Sequence, residues 1–143
     1  MKFNQYVKTN RAELLPVTID GQDIDDVYFH RLSAGEGLQL KEAFSGLLNK
    51  AGSEVAKLAT ADPDKIEEIA RNSLSPEQLR AMFEFQALFT FLHLGDKDGH
   101  RVYTDRKEFD VEVPDEFVQA FYLEGSKLKE QAEPGPGEAE KNS

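Results

Sequence analysis

Three histidines and 27 acidic residues are the side chains best able to do chemistry in this sequence of 143 residues. No two of the histidines, His30, His93 and His100, have the i, i+4 spacing that places two zinc ligands on one helix face. The chain has no cysteine, which excludes disulfides, thiolate metal ligands and a cysteine nucleophile. Because His93 has apolar neighbours, we interpret it as a hydrogen-bonded histidine of a semi-buried helix. No metal site and no cofactor is predicted.

The acidic residues have no arrangement that would give them a catalytic role. The segment from Asp96 to Gly99 resembles the start of a calcium loop, but its glycine comes too early for one. The segment from Gly35 to Gly37 is not a phosphate loop, because neither Lys-Ser nor Lys-Thr follows it. No acid lies beside a glycine-rich loop or a serine elbow. We therefore expect a solvated acidic surface and no enzymatic activity.

Composition limits the partners that the chain can have. The formal net charge of −10 repels a phosphate backbone, so nucleic-acid binding is not expected. The longest apolar stretch, Ala87 to Leu94, is far shorter than the roughly 20 residues that a membrane span requires. The first residues are mixed polar and aromatic and do not form a secretory signal. These features predict an acidic binding protein of the cytoplasm.

The elements that must position any binding residues begin with a predicted β-hairpin over residues 14–32. Leu14 to Ile19 carries β-branched residues and is followed by Asp20-Gly21, a dipeptide that favours the positive φ angles of a tight turn. Val27 to Leu32 is the expected second strand, with side chains that suggest partial cover on both faces.

Two capping-box sequences predict where the main helices begin. Ser33 and Glu36 have the spacing at which a serine hydroxyl and an acidic side chain satisfy backbone donors of a first turn, and the helix should run to Asn49. Ser75 and Gln78 have the same spacing, with Pro76 in the first turn. The helix after Ser75 is apolar around nearly its whole circumference to Leu94, so we expect protein on all its sides.

The rest of the chain is less regular. Residues 53–73 are charged and weakly periodic, and we expect short, loosely attached helices there. Residues 104–110 are interpreted as a polar segment, and a last helix should begin at Pro114. The predicted fold is α+β and mainly α, with residues 1–130 as one domain whose part from 33 onward is mainly helical. Residues 131–143 are predicted to be a disordered acidic tail.

Aromatic residues in the last two long helices exceed what a single inward stripe needs. Such residues usually form a core, but no other segment is obviously large enough to cover them all. An apolar groove for a partner helix, or an interface between copies of the chain, would cover the excess. The predicted partner-binding residues are Phe85, Phe89, Phe91, Phe117, Phe121 and Tyr122.

The order of elements resembles that of the tail assembly chaperones of long-tailed bacteriophages. A small N-terminal β unit contains Val27 to Ser33, and a variable charged middle precedes the apolar helix. In the second half, the family's D-x-G turn, hydrophobic-Thr-Asp step and closing aromatic helix resemble Asp98-Gly99, Val102 to Asp105, and the segment that follows Val113-Pro114. The resemblance covers roughly residues 14–130.

This resemblance implies a protein of the host bacterial cytoplasm that is absent from the virion. It would bind the aggregation-prone tape measure protein and help to recruit tail tube subunits. Family members are commonly also made in a form extended by a −1 ribosomal frameshift. Glu140-Lys141-Asn142 can be encoded by a slippery A AAA AAC sequence, a hypothesis that GAG or AAG codons would contradict. The alternative is a structural minor tail or head–tail joining protein.

Overall fold

The computed structural model describes residues 1–9, 12–51, 65, 68, 72 and 74–132. Helices dominate the described residues and the strands are short, so the predicted fold class, α+β and mainly α, is confirmed. The helices are α1 (Phe3–Thr9), α2 (Ala34–Ala51), α3 (Pro76–His93), α4 (Arg106–Glu112) and α5 (Asp115–Ala132). The strands are β1 (Ala12–Leu14), β2 (Val17–Ile19), β3 (Gln22–Ile24), β4 (Tyr28–His30) and β5 (Leu94–Gly95).

The predicted turn at Asp20-Gly21 is present, but the strand that follows it differs from the prediction. Both turn residues have positive φ, 52° and 79°, as a two-residue hairpin turn requires. The turn joins β2 to β3, with Val17 opposite Ile24. The expected second strand, Val27 to Leu32, instead contributes β4, which pairs antiparallel with β1. The turn determines strand pairing only for the residues next to it. Burial of Phe29 places β4 in another sheet.

The second sheet brings together distant parts of the chain. Its strand order is β1-β4-β5, and all pairs are antiparallel. Phe29 of β4 lies opposite Leu94, the residue that directly follows α3. Beyond β5, Arg101 forms an isolated antiparallel bridge with Gly95. The end of the central helix is therefore fixed to the N-terminal strands.

Both predicted capping boxes are present. Glu36 accepts from the Ser33 backbone N–H at 2.9 Å, and the Ser33 hydroxyl accepts from the Glu36 N–H at 3.3 Å. The equivalent distances between Ser75 and Gln78 are 2.9 and 3.2 Å. These bonds satisfy backbone donors that a first helical turn leaves unpaired. They begin α2 and α3, which are the two helices that the capping sequences predict.

Among the described residues, three apolar clusters hold the helices and the strands together. The largest joins β2, β4, α2, α3 and α5 and contains Phe29, Phe89 and Phe121. A second lies between α2 and α3, around Leu47 and Met82. The third lies on another side of α3, where Phe91 meets Phe109 of α4 and Val118 of α5. The chain's own elements therefore cover α3 on several of the sides where protein was expected, whereas Phe83 of α3 stays 42% exposed.

Two regions differ from the prediction or lie beyond it. The segment 104–110, interpreted as a polar segment, contributes most of α4. The first turn of α4 is capped by the Asp105 carboxylate, which accepts from the Lys107 N–H. The predicted short helices of residues 53–73 lie outside the described residues, apart from three single positions. The predicted tail also lies outside them beyond Ala132, where α5 ends. In the described part of the chain, no helix is long and apolar enough to cross a membrane.

Candidate functional site

Three of the six predicted partner-binding residues lie in the core. Phe89, Phe91 and Phe121 are buried, and Phe121 has 0% of its surface exposed. Phe121 packs against the rings of Phe29 and Phe89, with centroids 6.2 and 6.4 Å away. A partner can contact these three rings only if the core opens. The chain itself covers these three rings, because a strand and a helix that are distant in sequence pack against them.

The other three predicted residues, Phe85, Phe117 and Tyr122, are partly exposed and pack against the edge of the main core. Phe85 is the central one, because its ring lies 5.6 Å from that of Phe44 and 6.2 Å from that of Tyr122. Phe44 belongs to α2, Phe85 to α3 and Tyr122 to α5. We call Phe44, Phe85 and Tyr122 the aromatic line, a half-buried apolar strip that crosses three helices.

The six predicted residues do not form one surface. Phe91 lies in the cluster with Phe109, whose ring is 5.6 Å away at 86°. The guanidinium of Arg101 lies 4.3 Å above the Phe91 ring and that of Arg106 lies 5.9 Å from it, so cations cover this aromatic. Phe117 contacts Phe121 rather than the aromatic line. Phe44 was not among the predicted partner-binding residues. Its position on the apolar side of α2 could have identified it.

Residues that are far apart in the sequence form a polar cluster where β4 meets α2 and α3. His30 Nε2 lies 3.6 Å from one Glu36 carboxylate oxygen, and Arg101 Nη1 lies 3.5 Å from the other. His93 Nδ1 is 2.9 Å from the His30 carbonyl oxygen. We call these four residues the polar cluster. It joins β4, the first turn of α2, the last turn of α3 and the residue that bridges to β5.

Glu36 is the charged centre of the polar cluster. Burial raises the pKa of its carboxyl, but hydrogen bonds from Ser33 and the nearby His30 and Arg101 outweigh this effect, so the pKa lies below its ordinary value. The carboxylate therefore stays ionised at neutral pH. It performs two tasks at once, because the same side chain completes the capping box of α2 and holds Arg101.

His93 is held neutral by its surroundings. Its side chain stacks on Phe29, with centroids 4.2 Å apart and planes at 15°, and lies 4.4 Å from the Phe89 ring. Burial lowers the pKa of His93 from 6.5 to about 3, against the opposing effect of the His30 carbonyl. At neutral pH the ring can donate Nδ1–H to that carbonyl. The expected hydrogen-bonded histidine is therefore present, and it is more deeply buried than a semi-buried helix position would be.

The polar cluster has unsatisfied atoms but no metal-binding arrangement. His30 Nδ1, His93 Nε2 and Arg101 Nε are buried without a hydrogen-bond partner. Across the described ranges, no group of three or more histidine or acidic residues could hold a metal ion. The arrangement instead brings two imidazole rings and an ion pair together. The polar cluster is suited to fixing the relative positions of β4, α2 and α3, because its contacts join residues of different elements.

The turn after β5 is explained by side-chain hydrogen bonds to the backbone. The Asp96 carboxylate accepts from the N–H groups of Asp98 and His100, at 2.9 and 3.0 Å. Gly99 supplies a φ of 83°, which favours glycine. These bonds lower the pKa of Asp96, that from His100 most. The calcium-like sequence is thus a turn in which the carboxylate already has protein partners.

Comparison of the chain with protein-family models, with curated proteins and with solved structures finds no match.

Proposed function

We propose that this protein is a tail assembly chaperone of a long-tailed bacteriophage, which binds the tape measure protein and helps to recruit tail tube subunits in the host cytoplasm. The observation that carries the proposal is the aromatic line. An apolar strip across α2, α3 and α5 fits the apolar face of an amphipathic helix, whose anchors recur at three and four residues. A tape measure protein would present such helices to the aromatic line.

The charge of the chain supports the same proposal. A net charge of −10 keeps copies of the chain apart and soluble. A complex with an aggregation-prone segment would carry the same negative charge. The aromatic line would cover the apolar face of that segment. The combination of a limited apolar strip and a highly charged surface suits a protein that holds another protein in solution.

The residues that carry the family resemblance occupy defined structural positions. Gly99 provides the positive φ of the turn after β5, and Asp105 caps α4. Pro114 precedes α5, and its carbonyl accepts the first hydrogen bonds of that helix from Phe117 and Val118. Each position has a stereochemical requirement, so a related fold would be expected to keep similar residues there.

The first experiment is co-expression of the N-terminally tagged chain with the tape measure protein encoded beside its gene. Recovery of a soluble complex, identified by mass spectrometry, would support the proposal. If the chain fails to solubilise the tape measure protein, the proposed function is wrong. Detection of the chain in purified phage particles would instead favour the structural alternative, a minor tail or head–tail joining protein.

Phe85→Ser is the sharpest test of the aromatic line. We expect the variant to fold with a loss of about 1–3 kcal/mol in stability, because Phe85 is only partly buried. It should solubilise at most about one tenth as much tape measure protein, since a central anchor is removed. Soluble yield of the co-expressed partner and circular dichroism of the purified variant measure the two effects.

Two phenylalanines provide matched controls for Phe85→Ser. Phe83, 42% exposed on the same helix, is outside the aromatic line, so Phe83→Ser should leave both folding and partner yield near wild type. Phe121→Ser should unfold the chain, because it places a hydroxyl in the fully buried core. Equal loss of partner yield in Phe83→Ser and Phe85→Ser would contradict the assignment to the aromatic line.

A further inference from the structure

The dipeptide Asp-Gly occurs twice in the sequence, at Asp20-Gly21 and at Asp98-Gly99. In such a dipeptide the backbone nitrogen of the glycine can attack the side-chain carboxyl carbon of the aspartate, because glycine has no side chain to obstruct the approach. The two groups then close a five-membered succinimide ring. The reaction needs a glycine nitrogen that no hydrogen bond holds and that solvent can reach. The two dipeptides differ in both respects.

Asp20-Gly21 is an exposed turn with a free backbone nitrogen. Both residues lie between β2 and β3, and both are exposed. Pairing of the two strands ends at Ile19 and Gln22, so the Gly21 N–H takes no part in it. Among the described residues, this N–H has no hydrogen-bond partner. Apart from the neighbours in the chain, nothing lies within 4 Å of the position that a Gly21 Cβ would occupy. The Asp20 carboxyl group can therefore approach the Gly21 nitrogen without displacing another group.

Asp98-Gly99 belongs to a turn whose backbone is held by hydrogen bonds. The Gly99 N–H donates to the Asp96 carbonyl at 3.1 Å, and the Asp98 N–H donates to the Asp96 carboxylate at 2.9 Å. Gly99 is also buried. Attack by the Gly99 nitrogen requires that its hydrogen bond break and that the turn open. The same dipeptide is therefore protected at this position.

We propose that Asp20 is a site of spontaneous modification, at which the aspartate condenses with the Gly21 nitrogen and is then converted to isoaspartate. The Gly21 nitrogen loses its proton and forms a bond to Asp20 Cγ, while a C–O bond of the carboxyl group breaks and one molecule of water leaves. Addition of water then opens the ring at either of its carbonyl carbons. One product is the original aspartate, and the other is isoaspartate, in which the main chain runs through Cγ.

Isoaspartate at position 20 would change the turn that holds β2 in place. The main chain gains one carbon atom, the former Cβ, between the two strands. The turn has positive φ at both residues, 52° and 79°, and the added atom alters the length and twist that match it to the strands. β2 contributes Val17, which is 2% exposed, to the largest apolar cluster, and Ile19 packs against the same cluster. Modification of an exposed turn would thus loosen part of the core. This proposal does not depend on the chaperone function.

Incubation of the purified full chain at physiological temperature and neutral pH, followed by peptide mapping, tests the proposal. Electron-transfer fragmentation distinguishes isoaspartate from aspartate, because the two residues have equal mass but different main chains. Asp20 should isomerise at least about five times as fast as Asp98, because one intramolecular hydrogen bond slows local opening by roughly that factor. The succinimide should appear in the peptide that contains Asp20, lighter by one molecule of water.

Two controls separate the effect of the fold from that of the dipeptide. In urea the hydrogen bond that protects Gly99 is lost, so the isomerisation rates at Asp20 and Asp98 should approach each other. Asp20→Glu tests the chemistry, because attack on a glutamate carboxyl group requires a less favourable six-membered ring. During incubation the wild type should acquire a population with a lower melting temperature, whereas Asp20→Glu should keep the melting temperature of its fresh sample.

Other results would overturn the proposal. Equal rates at the two positions in the folded protein would show that the exposed turn gives Asp20 no advantage. Isoaspartate that forms at Asp20 only in urea would show that the folded turn keeps the carboxyl group and the Gly21 nitrogen apart. Isomerised protein that melts at the same temperature as the fresh wild type would contradict the effect on β2.

Discussion

His93 shows how a polar side chain can be fixed inside an aromatic core. The ring contacts Phe29 and Phe89 and uses one nitrogen for the His30 carbonyl, so its burial does not leave that backbone acceptor unpaired. The charged form of the ring is disfavoured mainly because burial removes it from solvent, and this effect exceeds the support from the His30 carbonyl and from the Glu36 carboxylate. The positive charge of Lys129 and the His30 side chain oppose the charged form further.

The depressed pKa of His93 predicts a loss of stability in acid. The folded protein has a pKa of about 3 at this site, against 6.5 for an ordinary histidine, so the unfolded chain binds the proton more readily. Stability is therefore full above pH 6.5 and falls as the pH drops toward 3, by about 1 kcal/mol per pH unit. Urea unfolding at pH 7, 6, 5 and 4 measures this slope.

His93→Asn is the matched variant for the pH prediction, because its side-chain amide can still donate to the His30 carbonyl and does not titrate. Its free energy of unfolding should fall less steeply between pH 6.5 and pH 4 than that of the wild type. The acidic residues contribute to both proteins alike, so the difference between the two slopes isolates the histidine. Identical slopes would show that His93 titrates normally in the folded protein.

At the scale of elements, short-range hydrogen bonds determine where α2 and α3 begin, whereas tertiary packing determines that α4 forms. Ser33 and Ser75 each cap a first turn through a partner three residues later, and such short-range bonds can be recognised in sequence. Helix α4 was not predicted, because Phe109 is its one buried residue and seven residues give no apolar period. Its N-cap, Asp105, was the available signal.

Ser75→Ala tests the contribution of the better-defined cap. Loss of the hydroxyl removes the hydrogen bond that it accepts from the Gln78 N–H, which should reduce the free energy of unfolding by about 1 kcal/mol. Ser45→Ala is the control, because Ser45 is an exposed residue inside α2, where alanine is a better helix former. That variant should be as stable as the wild type or slightly more so. A neutral Ser75→Ala would mean that solvent replaces the cap without cost.

At the scale of the whole molecule, the strand pair β4–β5 connects the N-terminal sheet to the central helix. Gly95 makes this contact possible, since a Cβ atom there would lie 2.9 Å from His30 Cβ and 3.2 Å from the His100 carbonyl oxygen. A larger side chain at Gly95 would push β4 and β5 apart. It would also disturb the polar cluster, because His30 belongs to that cluster. The absence of a side chain at Gly95 therefore allows two distant parts of the chain, β4 and β5, to pair.

Gly95→Ala should destabilise the protein by about 1–3 kcal/mol through this overpacking. Because the contact joins the sheet to the helices, helix signal at 222 nm and tyrosine fluorescence should lose their native values together on heating. Gly46→Ala provides the contrast, since nothing lies within 4 Å of a Cβ at this helical position. It should stabilise the chain by up to about 1 kcal/mol. Separate transitions for the two signals in Gly95→Ala would contradict a single cooperative unit.

The sequence by itself determined the features that depend on residues close together: the Asp20-Gly21 turn, the two capping boxes and the mainly helical class. It also indicated that α3 must be covered on nearly all sides. These predictions succeed because a turn or a cap is stabilised within about four residues, whatever the rest of the chain does.

The tertiary structure alone decided which aromatics point inward and which strands pair. Phe85 and Phe91 belong to the same apolar helix, yet one joins the aromatic line and the other a cation-covered cluster. His30 and His93 meet across 63 residues of sequence. No local pattern encodes such contacts, because a helix that is apolar all round has no preferred face until neighbouring elements pack on it.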